Sequence, residues 1–197
     1  GEEIKKKNLF SINMPQSTSL QMDDSGTIAT ITLASPKNLN VLTTQLISEL
    51  IGHLAHLETQ EKLKVLILNS SVKKAFCAGA NIKEFEKNTY ASRLLGVNYL
   101  RKLQVAFHEF KKVVIVAVNG LALGGGFELA LLGDLILATE DARFGFPEIK
   151  LGVFPGMRGT LIAKTVGRYR ASRMIFTGEM VSAREMHQAG RIHSKSN

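Results

Sequence analysis

The sequence predicts an α/β fold in which buried strands alternate with amphipathic helices. The clearest strand is Val113–Val118 (VVIVAV), whose residues are all apolar, as is typical of a strand in the middle of a parallel sheet. The clearest helix is predicted over 43–57, where leucines recur at helical spacing at 46, 50, 54 and 57. With 197 residues, the chain is long enough for one core of ordinary size.

The other strands and helices are predicted in the same way, from short apolar runs and from apolar residues at helical spacing. Alternating β-branched residues predict a strand over 27–33 (TIATITL), and Ser35-Pro36 begins a turn. A short apolar run predicts a strand over 65–68, and small residues predict a loop over 75–80. In the second half of the chain the patterns predict helices over 88–111, 127–132, 161–166, 171–176 and 183–188, and strands over 113–118 and 135–138.

Composition and charge restrict the class of protein. The chain is 45% hydrophobic and 21% charged, which is typical of a soluble globular protein, and no apolar run is long enough to span a membrane. We expect residues 1–20 to form a tail or an early edge element, and residues 21–197 to form one core domain. A net charge of +8 favours polyanionic partners or, equally, an ordinary basic surface. No basic run is interleaved with aromatic residues, so a nucleic-acid groove is not predicted.

Cysteine and histidine provide no obvious chemistry. Cys77 is the only cysteine, so an intramolecular disulfide is excluded, and no histidine or basic residue flanks it to activate the thiol. The five histidines lack metal-ligand spacing, and we expect them to lie on the solvated surface. We therefore expect no metal site.

A glycine-rich segment follows the strand at 113–118. Gly124, Gly125 and Gly126 open an apolar helix, and glycines let a ligand approach backbone amides that stabilise negative charge. The alternative is a tight turn without a ligand. The segment lacks the Gly-Lys-Ser/Thr of a phosphate loop and the spacing of a dinucleotide fingerprint.

Two glutamates lie in apolar surroundings after these glycines. Glu128 is inside the apolar helix, and Glu148 follows Phe144, Phe146 and Pro147. Burial would raise their pKa into a range useful for proton transfer. For Glu128, local sequence fits a structural ion pair or a carboxylate favoured by the dipole at a helix N-terminus equally well. For Glu148, local sequence favours an exposed loop residue. Together with the glycines, the pair suggests chemistry on a carbonyl compound that passes through an enolate.

Taken in order, these segments resemble the enoyl-CoA hydratase/isomerase (crotonase) family. The resemblance extends over about 26–192 and is specific because several motifs occur together. They are PKNLNVL at 36–42, KAFCAGANIKE at 74–84, AVNGLALGGGFELA at 117–130, the segment from Phe144 to Gly156, and the pairs TG at 177–178 and AG at 189–190.

The resemblance implies a spiral of repeated ββα units and an acyl-CoA thioester substrate, with coenzyme A as part of that substrate and no separate cofactor. By motif, the backbone amides of Ala80 and Gly125 would hold the thioester oxygen. Glu128 and Glu148 would hold the added water, with Glu148 donating a proton to C2. The residues implied to contact coenzyme A are Lys37, Leu39, Ala78, Ile82 and Lys83.

The implied reaction is hydration of a trans-2-enoyl-CoA in fatty-acid or branched amino-acid degradation, because isomerising branches commonly lack the carboxylate equivalent to Glu128. The alternatives are an enoyl-CoA isomerase, a methylglutaconyl-CoA hydratase, or a non-catalytic member that binds acyl-CoA or RNA. A homotrimer or homohexamer is implied. The basic pI of 9.7 and the resemblance favour a mitochondrial location over a cytoplasmic one.

The chain departs from the family pattern in four places. Val113-Val114 follows Lys111-Lys112, where Lys-Lys-Pro-Val is usual. Asn81 stands where aspartate is usual, and Met157-Arg158 interrupts a more glycine-rich stretch with a bulky cation. The sequence ends at Asn197, so we expect the C-terminal helical region to be missing or shortened and the apolar strand before it to be lost.

Overall fold

The computed structural model describes residues 16–81, 90–159, 162–190 and 192–194. They form an α/β fold with two sheets, which confirms the predicted fold class. The strands are β1 (Thr18–Met22), β2 (Ile28–Leu33), β3 (Val65–Ser70), β4 (Ala75–Cys77), β5 (Val113–Val118), β6 (Leu121–Leu123), β7 (Leu135–Ala138), β8 (Arg143–Gly145), β9 (Met180–Ser182) and β10 (His193–Ser194). The α-helices are α1 (Thr44–Glu58), α2 (Tyr90–Glu109), α3 (Gly125–Ala130), α4 (Ile162–Val166), α5 (Arg168–Thr177) and α6 (Ala183–Gln188), and short 3-10 helices cover Pro36–Asn38 and Pro147–Leu151.

The larger sheet has the strand order β1-β2-β3-β5-β7-β10 and is parallel except for the antiparallel β1–β2 pair. Alternate residues of its strands are buried, because one face of each strand points to the core. In β2 these residues are Ala29, Ile31 and Leu33, all fully buried. The smaller sheet has the order β4-β6-β8-β9.

The chain crosses repeatedly from the larger sheet to the smaller one. β3 is followed by β4 and α2, β5 by β6 and α3, and β7 leads into β8. Each turn thus contributes one strand to each sheet before a helix returns the chain. This repetition is the spiral of ββα units that the resemblance implied.

Helix α1 covers one face of the core and has a defined start. The Thr43 hydroxyl accepts a hydrogen bond from the Leu46 amide at 3.0 Å, which satisfies one of the free N–H groups at the first turn. The predicted leucine stripe is buried, together with Ile47. Each of these side chains contributes about 1.5–3 kcal/mol through removal from water.

At the C-terminus, where an apolar strand was expected to be lost, only the polar pair His193–Ser194 forms β10, and it pairs with β7. Two predictions of secondary structure are wrong. The segment 75–80, predicted as a loop, contains the buried three-residue strand β4, which pairs with β6. The helix predicted from Phe127 begins at Gly125, since the last two glycines of the triplet form its first residues.

Strand β1 begins inside the segment predicted as a tail or an early edge element, and it lies at the edge of the larger sheet, in agreement with the second alternative. A polar network joins it to α1. The Thr18 hydroxyl donates to Glu49 Oε2 at 2.8 Å and lies 3.0 Å from His53 Nε2. Since that hydroxyl has one proton, His53 is the donor in the second contact. His53 is half-buried, so the expectation that it lies on the solvated surface is wrong.

Candidate active site

The predicted site residues converge where the smaller sheet meets helix α3. The backbone of the Pro36–Asn38 region is hydrogen-bonded to the segment after β4: the Ala78 amide donates to the Leu39 carbonyl at 3.0 Å. The Leu42 amide donates to the Gly79 carbonyl at 2.7 Å. Leu39 and Ala78, two of the residues implied to contact coenzyme A, therefore adjoin each other.

Lys37 is exposed on the 3-10 helix two residues before Leu39, where its ammonium is available to an anion. Ile82 and Lys83, also implied to contact coenzyme A, lie outside the described residues. In the described part of the chain, no group of three His, Cys, Asp or Glu side chains is arranged to hold a metal ion.

Asn40 holds this loop in place and was not predicted as a site residue. It is fully buried and adopts a left-handed backbone conformation, with φ at 57°. Its side chain donates to the Phe76 carbonyl at 2.9 Å and accepts from the Ser35 amide at 2.7 Å. An asparagine tolerates this backbone conformation better than most residues, and that preference is the signal that could have identified it.

Ala80 and Gly125 lie close together in the folded chain. A Cβ built on Gly125 would lie 3.3 Å from the Ala80 nitrogen. Neither amide donates to a carbonyl in the part of the chain that the structure describes. Two neighbouring N–H groups without protein acceptors can both donate to one oxygen atom of a ligand.

Glycine is required at two positions of the triplet for steric reasons. A Cβ on Gly126 would lie 2.1 Å from the Cys77 carbonyl oxygen, so helix α3 approaches β4 more closely than any side chain allows. Gly124 has φ at 52° and faces Glu148. The triplet is therefore needed both for packing and for an open site.

Cys77 is inert. It is fully buried, its thiol donates to the Asn40 carbonyl at 2.9 Å, and burial raises its pKa to about 12. This confirms the expectation that it is not a nucleophile.

Glu128 is buried, with 3% of its surface exposed, and is held by backbone amides. Three consecutive amides, those of Met157, Arg158 and Gly159, all donate to its Oε1 atom, each at 2.7 Å. Three donors on one oxygen fix the position and orientation of the carboxylate. The prediction of an ion pair for Glu128 is wrong: among the described residues, its hydrogen-bond partners are backbone amides and no cation pairs with it.

Glu148 follows Pro147 in the second 3-10 helix and is half-buried, which corrects the reading of an exposed loop residue. Burial, assisted by the charge of Glu128, raises the pKa of Glu148 to about 7. Its Oε2 atom is buried and has no hydrogen-bond partner among the described residues. A carboxyl group that is half-protonated near neutral pH can both give and take a proton.

Aromatic packing joins the two segments that carry the glutamates. The ring of Phe127, next to Glu128 in the chain, lies 5.0 Å from that of Phe146 and 5.1 Å from that of Phe144, centroid to centroid. All three rings are fully buried. The cluster therefore fixes helix α3 against the segment that precedes Glu148.

Comparison with known proteins identifies the family of the chain. The profile of the family described as Enoyl-CoA hydratase/isomerase matches residues 23–194. The chain is 40% identical over 171 residues to a probable mitochondrial enoyl-CoA hydratase of Dictyostelium discoideum, covering 85% of this chain and 60% of that protein. It is 38% identical over 164 residues to a 2,3-dehydroadipyl-CoA hydratase of Escherichia coli K12, covering 82% of this chain and 63% of that protein.

Solved structures show the same fold. A crystal structure of enoyl-CoA hydratase from Bacillus anthracis superposes with a TM-score of 0.85 at 32% identity, over 91% of this chain and 69% of that one. The chain spans 60% and 63% of the lengths of the two relatives above. Sequence and fold together establish that the chain belongs to the enoyl-CoA hydratase/isomerase family.

Proposed function

We propose that the protein is an enoyl-CoA hydratase, which adds water across the double bond of a trans-2-enoyl-CoA to give a 3-hydroxyacyl-CoA. The observation that carries this proposal is the combination of two adjacent glutamates with two amides that have no described acceptor. Relatives named as enoyl-CoA hydratases support it. An isomerase that moves a double bond does not need a second carboxylate to hold water, so the pair favours hydration.

In the proposed reaction the two amides bind the thioester, and the two glutamates act on the water and on the proton. The thioester oxygen accepts hydrogen bonds from the Ala80 and Gly125 amides. The oxygen of a water molecule held by Glu128 and Glu148 bonds to C3, and the electrons of the double bond move to the thioester oxygen as an enolate. Glu148 gives its proton to C2, and the proton released by the water restores the glutamate pair.

The environments of the two glutamates support this division of roles. Glu128 is fixed by the three amides, which suits a group that orients water. Glu148 has a pKa raised to about 7, so it holds a transferable proton at neutral pH. The amides stabilise the enolate because they are already oriented toward the developing charge.

The test is loss of the conjugated-enone absorbance of crotonyl-CoA when protein is added. We expect wild-type protein to hydrate the substrate and Glu148→Gln to be slower by about 10²–10⁴-fold, the range that a positioned acid or base contributes. Coenzyme A binding should survive in the variant. Unchanged turnover in Glu148→Gln would contradict the mechanism. Salt-sensitive RNA binding without any hydration would favour the non-catalytic alternative.

We also propose that copies of the chain associate, as a homotrimer or homohexamer. Four apolar side chains that follow Glu148 in the chain are 45–58% exposed, and exposed apolar residues close together in sequence favour contact with another chain: Ile149, Leu151, Val153 and Phe154. Light scattering after size exclusion tests this proposal, and a monomer at all concentrations would contradict it. A mitochondrial location remains a proposal, supported by the pI of 9.7 and the mitochondrial relative from Dictyostelium.

A further inference from the structure

Arg158 lies in the loop that holds Glu128, and its positive charge has no described counterpart. Its backbone amide donates to Glu128 Oε1 at 2.7 Å, so its side chain begins beside the proposed catalytic carboxylate. The residue is half-buried. Its side-chain Nε is buried and finds no hydrogen-bond partner among the described residues, and no carboxylate among them forms an ion pair with the guanidinium.

A guanidinium in this state is unfavourable for the folded chain on its own. Removing a charged donor from water costs free energy unless an acceptor replaces the water. The planar fork of the guanidinium matches a carboxylate or a phosphate, which can accept two parallel hydrogen bonds. The unpartnered Nε therefore points to an anion that the ligand brings to the site.

The position of Arg158 indicates which part of an acyl-CoA could carry the anion that it pairs with, the nucleotide or the acyl chain. The residues implied to contact coenzyme A, Lys37, Leu39 and Ala78, belong to the loops joined beside Ala80. The Arg158 amide instead donates to Glu128, which in the proposed reaction holds the water that is added at C3. The acyl carbons beyond C3 extend away from the thioester, so a group on the Glu128 side meets the acyl chain rather than the nucleotide.

We propose that Arg158 selects 2-enoyl-CoA thioesters whose acyl chain ends in a carboxylate, by pairing its guanidinium with that carboxylate. The inference rests on the proposed hydratase function and specifies its substrate class. The ligand carboxylate supplies the acceptor that the Arg158 Nε lacks, and the negative charge remains a few carbons from the reacting atoms.

The experiment compares two substrates of equal chain length: trans-2-hexenoyl-CoA and its analogue with a terminal carboxylate in place of the methyl group. The variants are Arg158→Met, Arg158→Lys and the control Arg168→Met, which changes an exposed arginine at the start of α5. Each replacement at 158 keeps the backbone amide that donates to Glu128. Taking the ratio of kcat/KM for the two substrates cancels any general loss of folding or activity.

We expect Arg158→Met to lower the preference for the carboxylate-ended substrate by about 10–100-fold, because a lost polar contact discriminates strongly in a buried site. Arg158→Lys should retain part of the preference, and Arg168→Met should leave it unchanged. A preference that Arg158→Met leaves intact, or a wild-type enzyme that hydrates only the methyl-ended substrate, would overturn the inference.

Calorimetric titration with hexanoyl-CoA and adipyl-CoA separates this inference from the proposed function. These saturated thioesters differ only at the chain end and require no hydration to bind. Tighter binding of adipyl-CoA that disappears in Arg158→Met would support the substrate class even if no hydration were detected. Equal binding of the two thioesters by the wild-type protein would overturn it, whatever the hydration assay gave.

Discussion

The α-carbon of Gly124 lies against the carboxyl group of Glu148. A Cβ built on Gly124 would be 2.8 Å from Glu148 Oε1, closer than real Cβ atoms approach an oxygen. Gly124 also has φ at 52°, in the left-handed region. The absence of a side chain at 124 therefore determines where the Glu148 carboxyl group can lie.

Replacing this glycine should reduce activity by displacing Glu148. We expect Gly124→Ala to lower kcat about 10–100-fold, since a shift of about 1 Å in a reacting group is enough for such a loss. Its left-handed backbone should also cost about 1–2 kcal/mol of stability. Hydration kinetics and urea unfolding measure the two effects.

The matched control is Gly52→Ala in α1, where nothing lies within 4 Å of the added Cβ. This variant should keep full activity and gain about 0.5–1 kcal/mol of stability, because alanine is the better helix former. If Gly124→Ala retained wild-type kcat, the contact with Glu148 would have no catalytic importance.

The raised pKa of Glu148 implies a cost in stability at high pH. The folded protein holds this proton up to a pKa of about 7, whereas the unfolded chain releases it near the ordinary value of 4.5. The contribution of Glu148 to stability is thus fully present below pH 4.5 and is lost as pH rises through 7. Glu148→Gln should then have a higher melting temperature than wild type at pH 8, by about 2–4 °C after allowance for solvent screening.

The measurement is thermal unfolding of both proteins at pH 4.5 and pH 8. At the lower pH the difference between them should be small, because the wild-type carboxyl group is protonated in the folded state. A variant that is less stable than wild type at pH 8 would show that burial does not dominate at Glu148.

Removing the Glu128 side chain should leave three amides without an acceptor. An orphaned buried donor costs about 1–3 kcal/mol, and water entering the space recovers part of this, so we expect Glu128→Ala to lose about 3 kcal/mol. Glu128→Gln keeps an oxygen at the same place and should lose less. Both variants should hydrate crotonyl-CoA at least 100-fold more slowly than wild type.

Urea unfolding of the two variants checks the structural part of this prediction. Equal stability of Glu128→Ala and Glu128→Gln would mean that the amides of Met157, Arg158 and Gly159 do not depend on an acceptor at 128. The loop could then hold its shape without the carboxylate.

The network that joins β1 to α1 should weaken in acid. Burial lowers the pKa of His53 below its ordinary value of 6.5, against the opposing charge of Glu49. As pH falls through 6.5 the unfolded chain takes up the proton first, so the folded state loses stability. Between pH 7 and pH 5, the melting temperature of His53→Gln should fall less than that of wild type.

His108→Gln is the control, because His108 is exposed on α2 and is not among the groups that shift the pKa of His53. Its melting temperature should follow that of wild type at both pH values. If His53→Gln followed wild type as well, the Thr18–His53 contact would not affect acid stability.

Long periodic elements could be predicted from the sequence, and short ones could not. The strand Val113–Val118 was predicted with its observed ends and the helix Thr44–Glu58 to within one residue at each end, because apolar patterning extends over their whole length. Strands β4, β6 and β8 have three residues each, and too few alternations occur in them to form a pattern. They exist because the spiral places their backbones side by side.

The two glutamates could be selected from the sequence, but the groups that tune them could not. Glu128 meets amides about 30 residues later in the chain, and no local pattern at Met157 or Gly159 indicates a carboxylate partner. The catalytic roles of Glu128, Glu148, Ala80 and Gly125 remain predictions. Their placement adds geometric support, because the site depends on loop conformations that only the folded chain defines.

Glu128 is held by three backbone N–H groups, and every residue except proline has such a group. The side chain at 158 can therefore be exchanged while the carboxylate stays in place, whereas Met157 is buried in the core and a Cβ at Gly159 would lie 2.3 Å from Pro155. The main chain of the loop thus holds the proposed catalytic carboxylate, and the side chain at 158 is open to variation. In a protein built in this way, a single substitution at 158 can change what the site binds while Glu128 stays in position.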